Sequence, residues 1–177
     1  MSTTAARQLD PDTLGDHLDR LYRAAWALTG GRADAEDLVQ DTYARVLAKP
    51  RFLRNDDDLG YLLRVLRNTF YSQRRTAARR PQTQDVPEEF EVADPRAGLR
   101  PDEAVAAREV FSVIAGLQPD FRDALVAVDV VGLSYGEAGK LLGVKEATIT
   151  SRLYRARAQV ARGMDSGRDG VDVSGGP

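Results

Sequence analysis

The sequence predicts an all-α fold of two small helical domains joined by a flexible, acidic, proline-containing linker, and three observations carry that prediction. Apolar residues recur at i, i+3, i+4 and i+7 through most of the chain, and no segment shows convincing strand alternation. Between two such helical stretches lies a segment over 81–101 with Pro81, Pro87, Pro95 and Pro101, acids from Asp85 to Asp94, and few large apolar residues. It cannot bury enough surface to offset its ordering entropy, so it reads as a linker. Finally, 177 residues suffice for two small helical domains and are too few for most large catalytic architectures.

Each element has a local cause. Asp10-Pro11 offers an N-cap and a first-turn proline; Leu14, Leu18, Leu21, Tyr22, Ala25 and Trp26 follow at helical spacing until Gly30-Gly31 stops the run. Tyr22 and Trp26 fall on the apolar face and are read as core. A second helix is expected from near Asp34, with acids in its first turn and Leu38, Val39, Thr42, Tyr43, Val46 and Leu47 along it, ending before Pro50. The third starts at the Asp56–Asp58 triplet, buries Leu59, Leu62, Leu63, Leu66 and Phe70, and runs out in Arg74-Arg75 and Arg79-Arg80-Pro81. Beyond the linker a helix opens around Asp102, with Val110, Ile114 and Leu117 on one face. Gln118-Pro119 breaks it, and the next helix carries Phe121, Leu125 and Val128 until Gly132. Residues 165–177, rich in Gly, Asp and Ser, are expected to fray.

Composition narrows the chemistry. There is no cysteine, which removes disulfides, thiolate nucleophiles and Cys-ligated zinc, and the single histidine, His17, cannot form a metal cluster or a triad. No catalytic constellation, cofactor or metal site is expected, so the chain does not read as an enzyme. No run approaches the ~18 apolar residues of a membrane span, and residues 1–15 lack a signal pattern, so no membrane insertion and a cytoplasmic location are expected. The formal net charge of −2 hides strong local fields. Eight arginines face three acids over 51–84, eight acids face three arginines over 85–111, and five cations face one acid over 141–164. Two basic blocks flanking an acidic one fit a polyanion such as nucleic acid, or a pair of solvated helix faces.

The densest motif lies in the second half. Ser134-Tyr135-Gly136-Glu137 matches a capping box, followed by Ala138, Leu141 and Leu142 on a buried face and by Gly143 as the stop. From Thr148 to Arg162 a second helix carries Ile149, Leu153, Ala156 and Val160 on one stripe, leaving Thr148, Ser151, Arg152, Arg155 and Gln159 on its flank and outer face. A short helix, a glycine turn and a helix with an Arg/Ser/Thr outer face is the helix-turn-helix plan, whose second helix enters the major groove. An ordinary helical hairpin with solvated arginines is the plainer alternative.

These residues carry a resemblance. Leu117-Gln118-Pro119, Arg122, Gly132-Leu133-Ser134-Tyr135-Gly136-Glu137, Leu142-Gly143-Val144 and Thr148–Arg157 closely resemble the promoter minus-35-binding domain of extracytoplasmic-function sigma factors. Asp34–Tyr43 looks like the helix those proteins dock on core RNA polymerase, and Tyr61–Asn68 looks like their minus-10-reading helix. The resemblance covers about residues 18–80 and 103–163, in the expected order, and divides the chain into a minus-10 domain over 10–80, the linker, a helix-turn-helix domain over 102–164 and a tail. Where the family commonly has alanine this chain has Gly139, which predicts a softer helix by up to ~1 kcal/mol.

The resemblance also implies roles. Asp37, Leu38, Gln40 and Asp41 would bind polymerase, the acids facing a basic coiled coil of β′; the β flap is a second expected contact. Phe52 and Asn55 lie in the loop that in the family captures a base flipped from the minus-10 strand, although Phe52 could equally fold into the core. Arg64, Arg67, Asn68 and Tyr71, at i, i+3, i+4 and i+7, form a polar stripe that can bond base edges and stack on an unpaired base, with Arg74 and Arg75 holding backbone. Lys145, Thr148, Ser151, Arg152, Arg155 and Arg157 would contact the minus-35 duplex. Promoter DNA and core RNA polymerase are thus the implied partners, with an anti-sigma factor as the usual regulator. The competing reading is a stand-alone helix-turn-helix regulator that binds a palindromic operator by itself.

Overall fold

The computed structural model describes residues 6–54, 56–79 and 101–169, with side chains described from 104 to 166 in the last stretch. Residues 1–5, Asn55, residues 80–100, which take in most of the expected linker, and residues 170–177 lie outside the described residues. Asp10 caps as expected, its carboxylate accepting the Asp12 amide at 3.0 Å, but Pro11–His17 winds as a 3-10 helix before α1 (Leu18–Thr29) begins. That tighter winding seats Leu14 in the core, where its carbonyl accepts the Tyr43 hydroxyl at 2.8 Å. Gly30, at φ 78°, ends α1 in the left-handed conformation that glycine adopts without a Cβ penalty. α2 (Arg32–Leu47) starts two residues ahead of Asp34, on Gly31, and α3 (Asp58–Arg79) opens at the last acid of the triplet.

One small element lies outside the helical reading. Arg7–Gln8 (β1) and Phe52–Leu53 (β2) form an antiparallel two-stranded ribbon, with Arg7 opposite Leu53 and Gln8 opposite Phe52. Strands of two residues are too short for a period-two pattern to be read.

The second half comprises α4 (Pro101–Ala115), α5 (Pro119–Leu125) continuing through one π turn at Val126–Val130, α6 (Tyr135–Leu142) and α7 (Glu146–Asp169). α7 begins before Thr148 and runs well past Arg162, so residues 165–169 of the tail are helical rather than frayed. No proline interrupts them, and the helix simply propagates.

The two halves pack against each other. Trp26 of α1 lies tilted on Phe111 of α4 with ring centroids 5.0 Å apart. Ala24, Leu28, Leu63 and Leu66 meet Val126, Ala127, Val131 and Leu142 around a void of only about 20 Å³. Tyr22 and Trp26 are core residues as expected, each 5% exposed, but the core that Trp26 joins belongs to both halves.

Candidate nucleic-acid interface

The helix-turn-helix is held by reciprocal bonds. The Ser134 hydroxyl accepts the Glu137 amide at 3.2 Å, while the Glu137 carboxylate accepts the Ser134 amide at 2.8 Å and its hydroxyl at 2.7 Å. Bonding to the Ser134 side chain, then to its backbone, holds the Glu137 carboxyl below its ordinary pKa. The buried members of α6 are Ala138 and Gly139, with Leu141 and Leu142 only half-buried. Gly139 is a correction to the expected softness: a Cβ there would sit 2.7 Å from the Val144 carbonyl oxygen. Glycine at this site lets the turn fold back on the helix.

On α7, Ile149, Leu153 and Ala156 are buried, and the face opposite them is wet. Lys145, Ser151, Arg155 and Arg157 are exposed, and Thr148 and Arg152 are half-buried. Arg152 reaches Asp120 at 2.7 Å, and Arg157 grips Asp129 with two bonds of 2.8 and 2.7 Å, which raise its pKa further. The geometry therefore divides the cations. Arg152 and Arg157 brace α7 against α5 and its π turn, whereas Arg155 has no ion pair recorded among the described residues. Tyr154, 79% exposed on the same outer face, was missed by the sequence argument. Its position off the Ile149–Leu153–Ala156 stripe was the available signal.

The polar stripe of α3 is split between solvent and α5. Arg64, Asn68, Arg74 and Arg75 are exposed, and Arg74 lies over the Phe70 ring at 5.5 Å. Arg67 and Tyr71 instead converge on Asp123, which is 3% exposed: Arg67 Nε donates to one carboxylate oxygen at 2.7 Å and the Tyr71 hydroxyl to the other at 2.8 Å. Arg122 donates to the Tyr71 oxygen at 3.0 Å and to the Ala115 carbonyl at 2.9 Å, its guanidinium over the Phe70 and Tyr71 rings. Burial, more than Asp123, raises the Tyr71 phenol against the lowering effect of Arg122, so it stays a neutral donor. Arg67 and Tyr71 thus serve an interdomain contact here rather than an open face. Arg122 enters the sequence reading only as part of the resemblance and Asp123 not at all, although Arg122 stands three residues before buried Leu125, on its stripe.

Asp37, Gln40 and Asp41 are exposed on one flank of α2. Asp34, Asp37, Gln40 and Asp41 line an open hollow of about 630 Å³, across from Phe70, Gln73 and Arg74 of α3. Gln73 donates to Asp41 at 2.6 Å. Leu38 does not belong to this surface: it is 1% exposed, because its place on the apolar stripe of α2 turns it into the core. Phe52 is 63% exposed, so it does not fold back into the core. Among the described residues no group of three or more His, Cys, Asp or Glu side chains could hold a metal ion, and no helix is long and apolar enough to cross a membrane.

Comparison with known proteins gives this geometry its class. Residues 14–80 match the Sigma-70 region 2 family and residues 107–160 match the Sigma-70, region 4 family. The chain is 35% identical over 147 residues to the ECF RNA polymerase sigma factor SigE of Mycolicibacterium smegmatis, a match over 81% of this chain and 57% of that protein. It is 30% identical over 158 residues to the ECF RNA polymerase sigma factor SigM of Mycobacterium tuberculosis, over 89% of this chain and 78% of that one. This chain therefore spans less than two thirds of the SigE relative but most of SigM. Among solved structures, the sigma factor RpoE in complex with the anti-sigma factor NepR from Bartonella quintana aligns with a TM-score of 0.64 at 26% identity, covering 91% of this chain and 96% of that chain. CnrH in complex with the cytosolic domain of CnrY shares the fold, with a TM-score of 0.62 at 21% identity over 88% and 86% of the two chains. A region 2 and a region 4 joined in one helical chain define an RNA polymerase sigma factor. Within that class, the chain belongs to the ECF RNA polymerase sigma factors.

Proposed function

We propose that this chain binds core RNA polymerase and directs it to a class of promoters, acting as an initiation factor in the cytoplasm rather than as a catalyst. One observation carries the reading: a single chain presents three dissimilar surfaces, the acidic flank of α2, the Arg/Asn stripe of α3 and the cationic outer face of α7. A palindrome-binding regulator needs only the last of these, with a copy of itself. In this reading α2 docks on the polymerase, α3 reads and helps open the minus-10 element, and α7 enters the major groove at minus-35. The exposed cations supply phosphate contacts and a salt-dependent affinity. Because Arg67 and Tyr71 are engaged by Asp123, the two halves must part before the whole α3 stripe meets DNA. By likeness to RpoE, whose structure is a complex with the anti-sigma factor NepR, a regulator of this chain would be an anti-sigma factor.

The test is reconstitution. Purified chain added to core polymerase should form a complex on gel filtration and support transcription from a promoter with spaced minus-35 and minus-10 elements. Tight binding to a palindromic duplex without polymerase, and no gain of transcription with it, would instead favour the stand-alone regulator.

A further inference from the structure

The segment ahead of α1 that carries β1 lies outside the stretch that matches region 2, which begins at residue 14, yet it holds the loop between α2 and α3 at three places. Gln8 pairs with Phe52 and Arg7 with Leu53 in the two-stranded ladder, and the Leu9 amide donates to the Arg51 carbonyl at 2.8 Å. Leu9 itself is 5% exposed and anchors the segment in the core. Arg7 then spans the far end of the loop, donating to Asp56 at 3.1 Å and pairing with Asp58, the first residue of α3. A two-stranded ribbon of this length is marginal alone, so these anchors are what hold Phe52 and Leu53 in place. Its effect falls on Phe52: successive strand residues face opposite sides, Leu53 turns inward to a half-buried position, and Phe52 is held out to solvent at 63% exposure.

We infer that the Arg7–Leu9 segment belongs to the minus-10 reading apparatus, and that Arg7 is a positioning residue fixing the loop so that Phe52 meets an unpaired base in one set orientation. The inference rests on the proposed minus-10 reading and on the resemblance, which implies that this loop captures a flipped base. A preordered loop discriminates between bases because a wrong base cannot be accommodated by rearrangement, whereas a loose loop stacks on any base it meets.

The experiment uses the full chain with core polymerase on templates that differ at each single base of the non-template minus-10 strand, both as duplex and premelted. Arg7→Ala, Arg7→Lys, Phe52→Ala and the Arg7→Ala/Phe52→Ala double variant are compared, with melting temperature and core affinity measured alongside. Phe52→Ala should reduce preference at one position by about tenfold, the scale of one lost base–aromatic stack. Arg7→Ala should reduce it at that same position, Arg7→Lys should restore part of it, and the double variant should be no worse than Phe52→Ala alone. If Phe52→Ala flattens the preference while Arg7→Ala leaves it intact, or lowers transcription equally at every base, the positioning role is wrong and base capture stands. Additive losses in the double variant would equally overturn it. If Phe52→Ala itself leaves the preference intact, base capture fails and the inference with it.

Discussion

Two residues of the helix-turn-helix resist substitution for different reasons, Glu137 through its bonds to Ser134 and Gly139 through a close backbone approach. The Glu137 carboxyl is held below its ordinary pKa by Ser134, so the folded state favours its ionised form. A group depressed in this way contributes stability above its unfolded pKa and loses it as pH falls through the folded value. Melting curves should therefore weaken on acidification below the ordinary carboxylate range, and Ser134→Ala should flatten that dependence while removing about 0.5–2 kcal/mol at neutral pH. An equally steep acid dependence in the variant would contradict the assignment. Gly139→Ala ought to stabilise by up to ~1 kcal/mol on helix propensity alone. Here the added Cβ would press on the Val144 carbonyl oxygen at 2.7 Å, a backbone atom that cannot rotate away. The melting temperature should fall, and a rise would show that the turn yields.

At the scale of elements, α2 and α7 each divide into a face that builds the core and a face that does not. Asp37 and Asp41 are exposed on α2, and Asp41 has one side-chain bond, from Gln73. Reversing both to Lys should weaken core polymerase binding while shifting stability by no more than ~0.5 kcal/mol, as measured by co-elution and thermal melts. On α7 the ion pairs separate two arginines that the sequence treats alike. Arg155→Ala should lower transcription from minus-35-dependent promoters by the ~1–3 kcal/mol of a lost base contact, with the melting temperature unchanged. Arg152→Ala should lower both, because the Asp120 contact between α5 and α7 goes with it. Identical melts for the two variants would refute this division.

For the molecule as a whole, the interface between the halves is the controlling feature. The Asp123 side chain is 3% exposed, and among the described residues its side-chain bonds run to Arg67 and Tyr71 of α3 rather than within region 4. Asp123→Lys would set a third cation between Arg67 and Arg122 at a position where the side chain is largely buried, and like charges brought together with little solvent repel. The halves should separate, seen as a larger radius of gyration in solution scattering, and the free chain should bind minus-10 single strands more tightly as Arg67 and Tyr71 are released. Unchanged scattering and unchanged strand binding would show that the apolar seam around Trp26 and Phe111 closes the molecule unaided.

What the sequence by itself determined is local. Helical periodicity, the Asp10-Pro11 and Ser134–Glu137 caps, and the stops at Gly30, Gly132 and Gly143 are each written within a few neighbouring residues, because hydrogen bonds of the i, i+3 and i, i+4 type carry them. The resemblance likewise assigns the three surfaces to α2, α3 and α7 from motifs that each lie within one helix. Tertiary structure alone decided which members of each surface are free. Leu38 turned inward, Arg67 and Tyr71 were taken by Asp123, Arg152 and Arg157 by Asp120 and Asp129, and a ribbon formed between residues more than forty positions apart. Those pairings join segments that no periodicity links, and an arginine reads the same in sequence whether its partner is a phosphate or a carboxylate on another helix.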